Sequence, residues 1–168
     1  MTSSGPAQPT RERYSFGAAT MCDIRAGGPV RIGVIDGDEM RIDSAGEYLR
    51  VGGIDLRRVA QRSASARGDH PGIDVLVDID VMIDYDAAGA RDKMAAQHIV
   101  PRGDTLTYIG TPAGLAGLIT DLHALGICDG AMLRPLLPHV AALIRGPVLQ
   151  ELDTMGSHRL TVQESRPA

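Results

Sequence analysis

The sequence predicts an α/β fold with parallel strands in its C-terminal half and hairpins in its N-terminal half. From Ile73 to Leu152, strand and helix patterns alternate, an order that favours parallel strands covered by helices. Before Gly52, short apolar runs are separated by turn residues such as Asp36-Gly37. These two observations carry the prediction.

The N-terminal half is predicted to contain three short strands and one helix. Asp36-Gly37 lies between two apolar runs, which is a strong hairpin signal, because a type I′ turn needs positive φ at both central residues. A polar segment ending at Pro71-Gly72 is predicted to be helical in its first part. The three strands and the polar segment are Val30 to Ile35, Met40 to Ile42, Tyr48 to Val51, and Arg57 to His70.

The clearest pattern in the chain is a strand from Ile73 to Asp84. Its β-branched residues alternate so that they share one face, while the aspartates share the other face with Leu76 and Met82. Asp86 is expected to cap the following helix, Ala87 to His98. The inward residues of that helix are predicted to be Ala90, Met94 and Ala95.

Two further strand and helix units follow. Thr105 to Ile109 is predicted as a strand, after which Thr111 caps a helix and Pro112 occupies its first position. Gly126 fits the left-handed residue that ends this helix, and Ile127 to Leu133 is predicted as the next strand. The stripe of the helix that faces the core is predicted to be Leu115, Leu118, Ile119, Leu122 and Leu125.

Composition and charge limit the classes of function. The 168 residues fit one domain, with a body at residues 14–155 that ends in a helix starting at Pro138, and with flexible tails at residues 1–13 and 156–168. A net charge of −4 without a strong basic patch argues against a nucleic-acid partner. No apolar run is long enough for a signal peptide or a membrane helix. Because Cys22 and Cys128 form no metal-type spacing, a cytoplasmic protein is expected.

The C-terminal part carries short motifs in a fixed order. Gly110-Thr111-Pro112 opens a helix, Asp129-Gly130 precedes a strand, and Leu137-Pro138 begins a closing helix. This series resembles the last two β/α units of the luciferase-like flavin-dependent monooxygenases, in the branch that includes nitrilotriacetate monooxygenase-type enzymes. Two upstream segments, Ile42 to Val51 and Asp74 to Met94, are similar to the hairpin and to the strand and helix that precede these units in the family.

The resemblance implies a partial (β/α) barrel and a family whose members oxidise small organic substrates with reduced flavin and O2. The cofactor would be FMN or a deazaflavin, which supplies the chemistry while the protein positions it. A complete barrel has about 250 residues, and the N-terminal strands of the family have no counterpart before Val30. The chain is therefore expected to be a truncated or divergent member. The phosphate turn of the family is replaced by Arg57 to His70, and no catalytic or cofactor-binding residue can be carried over.

The missing strands leave two alternatives to an active flavin enzyme. An incomplete barrel exposes strand edges and a sheet face, so the chain is also interpreted as a non-catalytic remnant that forms a homo-oligomer or binds a partner chain completing the barrel. The other alternative is a small stand-alone α/β binding module.

Polar residues of the body suggest few sites. The strand aspartates are interpreted as a solvated outer face that protects a sheet edge, because alternate strand residues stand about 6.6 Å apart and would hardly chelate a metal ion. Gly110-Thr111-Pro112 is interpreted as a plain helix start rather than a phosphate site. Arg134 either faces an anionic group at the C-terminal side of the barrel or forms a salt bridge. The aspartates are Asp74, Asp78, Asp80 and Asp84; His98, His123 and His139 lack ligand spacing, and Cys128 is expected to be a buried thiol.

Overall fold

The computed structural model of the protein describes residues 28–42 and 46–164, with side chains described as far as residue 156. The tail predicted at residues 1–13 and Cys22 lie outside this part. The strands are β1 Arg31–Asp36, β2 Glu39–Ile42, β3 Tyr48–Val51, β4 Asp74–Ile83, β5 Leu106–Gly110 and β6 Gly130–Pro135. The helices are α1 Leu56–Asp69, α2 Ala87–Ala96, α3 Pro112–Ala124, α4 Pro138–Leu143 and α5 Leu149–Glu164, with a π-helical segment, Ile144–Val148, between the last two.

The six strands form one sheet in the order β2-β1-β6-β4-β3, and β5 also pairs with β4. β2 is antiparallel to β1, whereas all the other pairings are parallel. β3 pairs with residues 74–77 of β4 and β5 with residues 79–83, so the two short strands share one edge of β4 end to end. The residue that follows β3 and the segment that precedes β5 lie close together, since a Cβ added at Gly52 would lie 2.9 Å from the Asp104 carbonyl oxygen. The sheet therefore has five rows of strands.

The sheet curls into half of a barrel. Tyr48 lies in β3 at one edge and Met40 lies in β2 at the other, yet the Tyr48 hydroxyl is 3.6 Å from the Met40 sulfur. In a flat sheet these strands would stand four spacings of about 4.8 Å apart, so the contact requires strong curvature. The prediction of a partial barrel-like α/β arrangement with parallel strands in the C-terminal half is confirmed.

β1 and β2 form the one hairpin of the part that the structure describes. Their register pairs Asp36 with Glu39, so the turn residues are Gly37 and Asp38 rather than the predicted Asp36-Gly37. Gly37 has a φ of 63°, whereas Asp38 is not at positive φ. This is the pattern of a type II′ turn, which needs a glycine only at its first central position. β3 adds a parallel strand to the N-terminal half.

The helices pack against one face of the sheet and enclose the core. Val75, Val77 and Val81 of β4 belong to this core, together with Leu115 and Ile119 of α3. Ile119 is fully buried, which stabilises the fold by about 1.5–3 kcal/mol relative to an exposed side chain. We call the opposite face of the sheet, which carries the aspartates of β4, the inner face.

Three helices differ in detail from the prediction. α1 runs through the whole polar segment because Val59 and Ser63, four residues apart, supply a buried stripe. In α2, Ala90 and Met94 are buried as predicted, but Ala95 is exposed because it lies about 100° around the helix from Met94. In α3, Leu125 is 73% exposed because it is the cap residue beyond the last turn.

Two other boundaries moved. β6 begins three residues later than predicted, because the amides of Ile127 and Cys128 still bond to the Leu122 carbonyl at 2.9 and 3.4 Å. The closing helix continues past Pro147 because this residue lies in the π-helical segment. The altered hydrogen-bond pattern of that segment accommodates a residue that has no amide hydrogen. The helix then continues beyond Gly156 to Glu164, into the segment predicted as a tail. A single glycine costs a helix only about 1 kcal/mol, which is too little to end it.

Among the described residues, no helix has both the length and the apolar character needed to cross a bilayer.

Candidate functional site

The three aspartates of β4 and Asp84, which directly follows the strand, are all ion-paired, and each has a partner on a different element. This contradicts the predicted solvated face. The prediction that they protect an edge was also wrong, because β4 has strands on both sides. The pairs are Arg31–Asp74 at 2.8 Å, Arg50–Asp78 at 2.8 Å, Lys93–Asp84 at 2.6 Å, and the contact between Arg134 and Asp80.

Burial differs sharply along this row of carboxylates. Asp80 is 0% exposed, whereas the side chains of Asp78 and Asp74 are 25% and 33% exposed. Lys93 donates to Asp84 and, together with the backbone amide of Tyr85, holds the pKa of that carboxyl below its ordinary value. The pairing of Arg50 with Asp78 likewise raises the pKa of the guanidinium. The row is therefore a set of compensated charges.

Arg31 closes the N-terminal end of the inner face. Its guanidinium donates to Asp74 and to the carbonyl oxygens of Gly46 and Glu47 at 3.1 and 3.2 Å, and it stands 5.5 Å from the ring centroid of Tyr48. The side chain is 8% exposed. A charged side chain is buried to this degree only when its donors are satisfied. Arg31 thus holds β1, β4 and the entry to β3 together.

Two glycines allow close contacts within the sheet, one with a side chain and one with the backbone of a neighbouring strand. A Cβ added at Gly33 would lie 2.6 Å from the Met132 sulfur, so this side chain lies directly over β1. A Cβ added at Gly130 would lie 1.9 Å from the Arg31 carbonyl oxygen. Because a backbone atom cannot move far enough to relieve this overlap without disturbing the sheet, the close contact of β6 with β1 requires glycine at this position.

A shallow depression of about 90 Å³ opens on the inner face toward the C-terminal ends of the strands. Arg50 donates to both oxygens of Asp78 at 2.8 and 3.0 Å, and the Arg102 amide contacts Asp80 at 3.5 Å. The cationic and anionic side chains around it balance, so the depression does not concentrate charge of one sign. Its charged lining is Arg50, Arg102, Arg134, Asp78, Asp80 and Asp104.

The two sites considered from the sequence for anion binding are both engaged within the fold. Arg134 pairs with Asp80, which is the salt-bridge alternative. At the start of α3, Thr111 accepts a bond from the Gly114 amide at 3.2 Å, as predicted for a cap. The Tyr108 hydroxyl covers this helix start, since it lies 2.1 Å from where a Gly114 Cβ would be. A phosphate therefore has no clear approach to the helix terminus.

The histidines do not gather into a site. His98 and His139 are exposed. His123 lies between two carbonyl oxygens, with Nδ1 3.3 Å from Cys128 and Nε2 3.2 Å from Gly28. A neutral imidazole has one N–H and donates to only one of them at a time. Within residues 28–42 and 46–156, no group of three His, Cys, Asp or Glu side chains is arranged to hold a metal ion.

Cys128 is a buried free thiol, as expected. Burial raises its pKa to about 12, so it stays protonated and is a poor nucleophile at neutral pH.

Sequence reasoning missed the arginines that organise the inner face. Arg31 begins β1 and Arg50 lies within β3, and each is the lone basic residue of a short strand. This isolated charge was the available signal. A lone charge in such a strand needs a partner, and β4 was the obvious source of carboxylates. Arg102 and Asp104 gave no comparable signal because they lie in the irregular segment before β5.

These residues do not by themselves fit a flavin. Pockets for ligands of that size usually enclose about 300–1,000 Å³ and bury most of the ligand, whereas the depression is open and several times smaller. Its paired arginines would have to give up their carboxylates to bind a phosphate. The chain matches no protein-family model, and a comparison with curated proteins also gives no match.

Proposed function

We propose that this chain is a partial, luciferase-like barrel that acts as an oligomerising or partner-binding α/β domain and does not enclose a flavin by itself. One observation carries the proposal: the two edges of a five-row curled sheet oppose each other across the inner face. A closed barrel of this type needs eight strands. A partner that supplies further strands would cover both the edges and the inner face.

The polar character of the inner face supports a partner of matching polarity. Leu76, Met82 and Met132 are buried apolar residues on this face, and charged pairs lie beside them. Interfaces of proteins that also exist apart have such polar rims. Ile109, which is 38% exposed beside β4, adds an accessible apolar contact at the rim.

The experiment compares self-association of two variants by sedimentation velocity across a concentration series. Ile109→Asp places a charge at the rim of the inner face. This variant is expected to self-associate more weakly than the wild-type chain. Leu125→Asp is the matched control, because Leu125 is also an exposed apolar residue but lies at the end of α3 in the helical layer. Equal effects of both substitutions would contradict the use of the inner face.

A second candidate is flavin-dependent oxidation of a small organic substrate by the completed assembly. The observation that favours it is the position of Arg134 at the C-terminal end of β6, the side where barrels of this type place their chemistry. Titration of FMN and of a deazaflavin, followed by fluorescence quenching, tests it directly. Saturable binding near micromolar strength by the monomeric chain would support the flavin candidate and overturn the proposal of a domain that does not hold flavin alone. A cytoplasmic location remains part of the proposal.

A further inference from the structure

β2 is the last strand on its side of the sheet among the described residues. Three of its four residues are exposed, and Met40 at its middle is 51% exposed. The hairpin register pairs Asp36 with Glu39 across a two-residue turn. Such a closing pair is hydrogen-bonded, and bonded and non-bonded pairs alternate along the ladder. The N–H and C=O of Met40 therefore point away from β1, toward the free edge.

Two symmetric antiparallel registers of a second β2 are centred on the middle residues of the strand and pair at least three of its four residues, and charge separates these two registers. In the register centred on Met40, the two Met40 residues exchange both backbone hydrogen bonds, and Glu39 lies opposite Arg41 of the second copy on both sides of the centre. In the register centred on Arg41, the two Arg41 side chains lie opposite each other. Opposite charges in cross-strand positions stabilise a sheet and like charges destabilise it, so the first register is favoured.

The side chains needed for this pairing are available. Glu39 and Arg41 lie on the same side of β2, and their mutual contact at 3.1 Å leaves them 71% and 74% exposed. We call the contact between the two β2 strands the seam. Each side chain can exchange its partner within its own strand for one across the seam without desolvating a buried charge.

We propose that a second copy of this chain pairs with β2 in antiparallel orientation, centred on Met40, and extends the curled sheet of the first copy. The two-fold axis of this pairing runs perpendicular to the sheet, so both inner faces lie on the same side. Two sheets of five rows each then provide more strands than a barrel requires. The inference rests on the proposed function, because it names the partner that covers the inner face.

The seam is short, so the dimer is a weak one. It consists of a four-residue edge strand with exposed ion pairs, which places it among the small, transient interfaces. Association is therefore measured by sedimentation equilibrium at high protein concentration and low ionic strength.

Charge exchange tests the register. Glu39→Arg and Arg41→Glu are each expected to weaken self-association about tenfold, since either one places like charges at both cross-strand positions. An equimolar mixture of the two variants is expected to associate as strongly as wild type, because each charge then meets its opposite. A wild-type chain that stays monomeric, or a mixture no stronger than its components, would overturn the inference.

Backbone pairing is tested at Met40. Met40→Pro removes only an amide that faces the free edge, a position where edge strands tolerate proline, and it is expected to abolish the dimer. Met40→Val keeps the amide and is expected to retain the dimer, while circular dichroism melting checks that both variants fold. Equal association of the two variants would refute the β2 seam.

Failure of this inference is distinguishable from failure of the proposed function. Self-association that responds to Ile109→Asp but not to the β2 variants would overturn the seam alone. Saturable flavin binding by the monomer would overturn the proposed function.

Discussion

Removing the Arg134 guanidinium should destabilise the fold by about 3–5 kcal/mol, the cost of leaving a buried charge without its partner. The perturbation is Arg134→Met, which keeps an unbranched apolar side chain in β6. It leaves Asp80 at 0% exposure with only a long contact to the Arg102 amide at 3.5 Å. The remaining carboxylate then has lost the salt bridge that compensates its charge.

The loss has an upper bound. A buried carboxylate without a partner takes up a proton instead of remaining charged, and neutralising an ordinary aspartate at pH 7 costs about 4 kcal/mol. The expected loss therefore lies near the middle of the range above. The corresponding change at Arg50 should cost only about 0.2–1 kcal/mol, because the Arg50–Asp78 side chains are 38% and 25% exposed.

Urea unfolding at pH 7, with the slope m compared between variants, measures both losses. The double variant Asp80→Leu with Arg134→Met should recover most of the lost stability, since replacing a buried ion pair by apolar residues is often neutral. A loss below about 1 kcal/mol for Arg134→Met, or equal losses at Arg134 and Arg50, would refute the reasoning from burial.

Three further outcomes are expected. Gly130→Ala should destabilise the fold by about 3 kcal/mol, measured by urea unfolding, because the new Cβ would lie 1.9 Å from a backbone oxygen of β1. In a Cys22→Ser background, Cys128 should react with a thiol reagent at pH 8 only on unfolding, because burial raises its pKa to about 12; rapid labelling of the folded chain would contradict this. Asp84→Asn should lower stability at pH 7, and the deficit should shrink as the pH falls below 3.8, since the lowered carboxyl pKa contributes stability above this ordinary value that is lost as the pH falls through the folded value; a deficit that does not shrink with falling pH would argue against the ion pair.

Local signals in the sequence determined most of the elements correctly. The alternation of β4 and the caps at Asp86 and Thr111 depend on residues within a few positions of each other. The capping distances of 2.8 and 3.2 Å agree with the side chains chosen from the sequence. Such features need no knowledge of the rest of the chain, which explains why they were predictable.

The inner face was not predictable in the same way, because its contacts join distant parts of the chain. Asp74 meets an arginine 43 residues earlier, and Asp80 meets one 54 residues later. Alternation showed correctly that these aspartates share one face, but a single strand does not reveal whether that face meets solvent or neighbouring strands. The position of β4 within the sheet decides this, and it depends on pairings that no local pattern encodes.

The flavin expectation came from the order of motifs, and it differs from the geometry for a physical reason. Strand and helix units can be kept while the strands that enclose a cofactor are missing, because each unit buries its own core. Here the core lies between the helices and the outer face of the sheet.

The order of strands in the sheet sets when the parts of this protein can assemble during synthesis. β1 lies between β2 and β6, so the first hairpin to leave the ribosome has no docking strand until β6, about a hundred residues later, has emerged. β3, β4 and β5 can join first around their shared edge. Contacts between such distant segments slow folding and prolong the exposure of unpaired strands. The β1–β2 hairpin is accordingly secured only late in synthesis, and until then the edge of β1 that later pairs with β6 stays open to chaperones that act during translation.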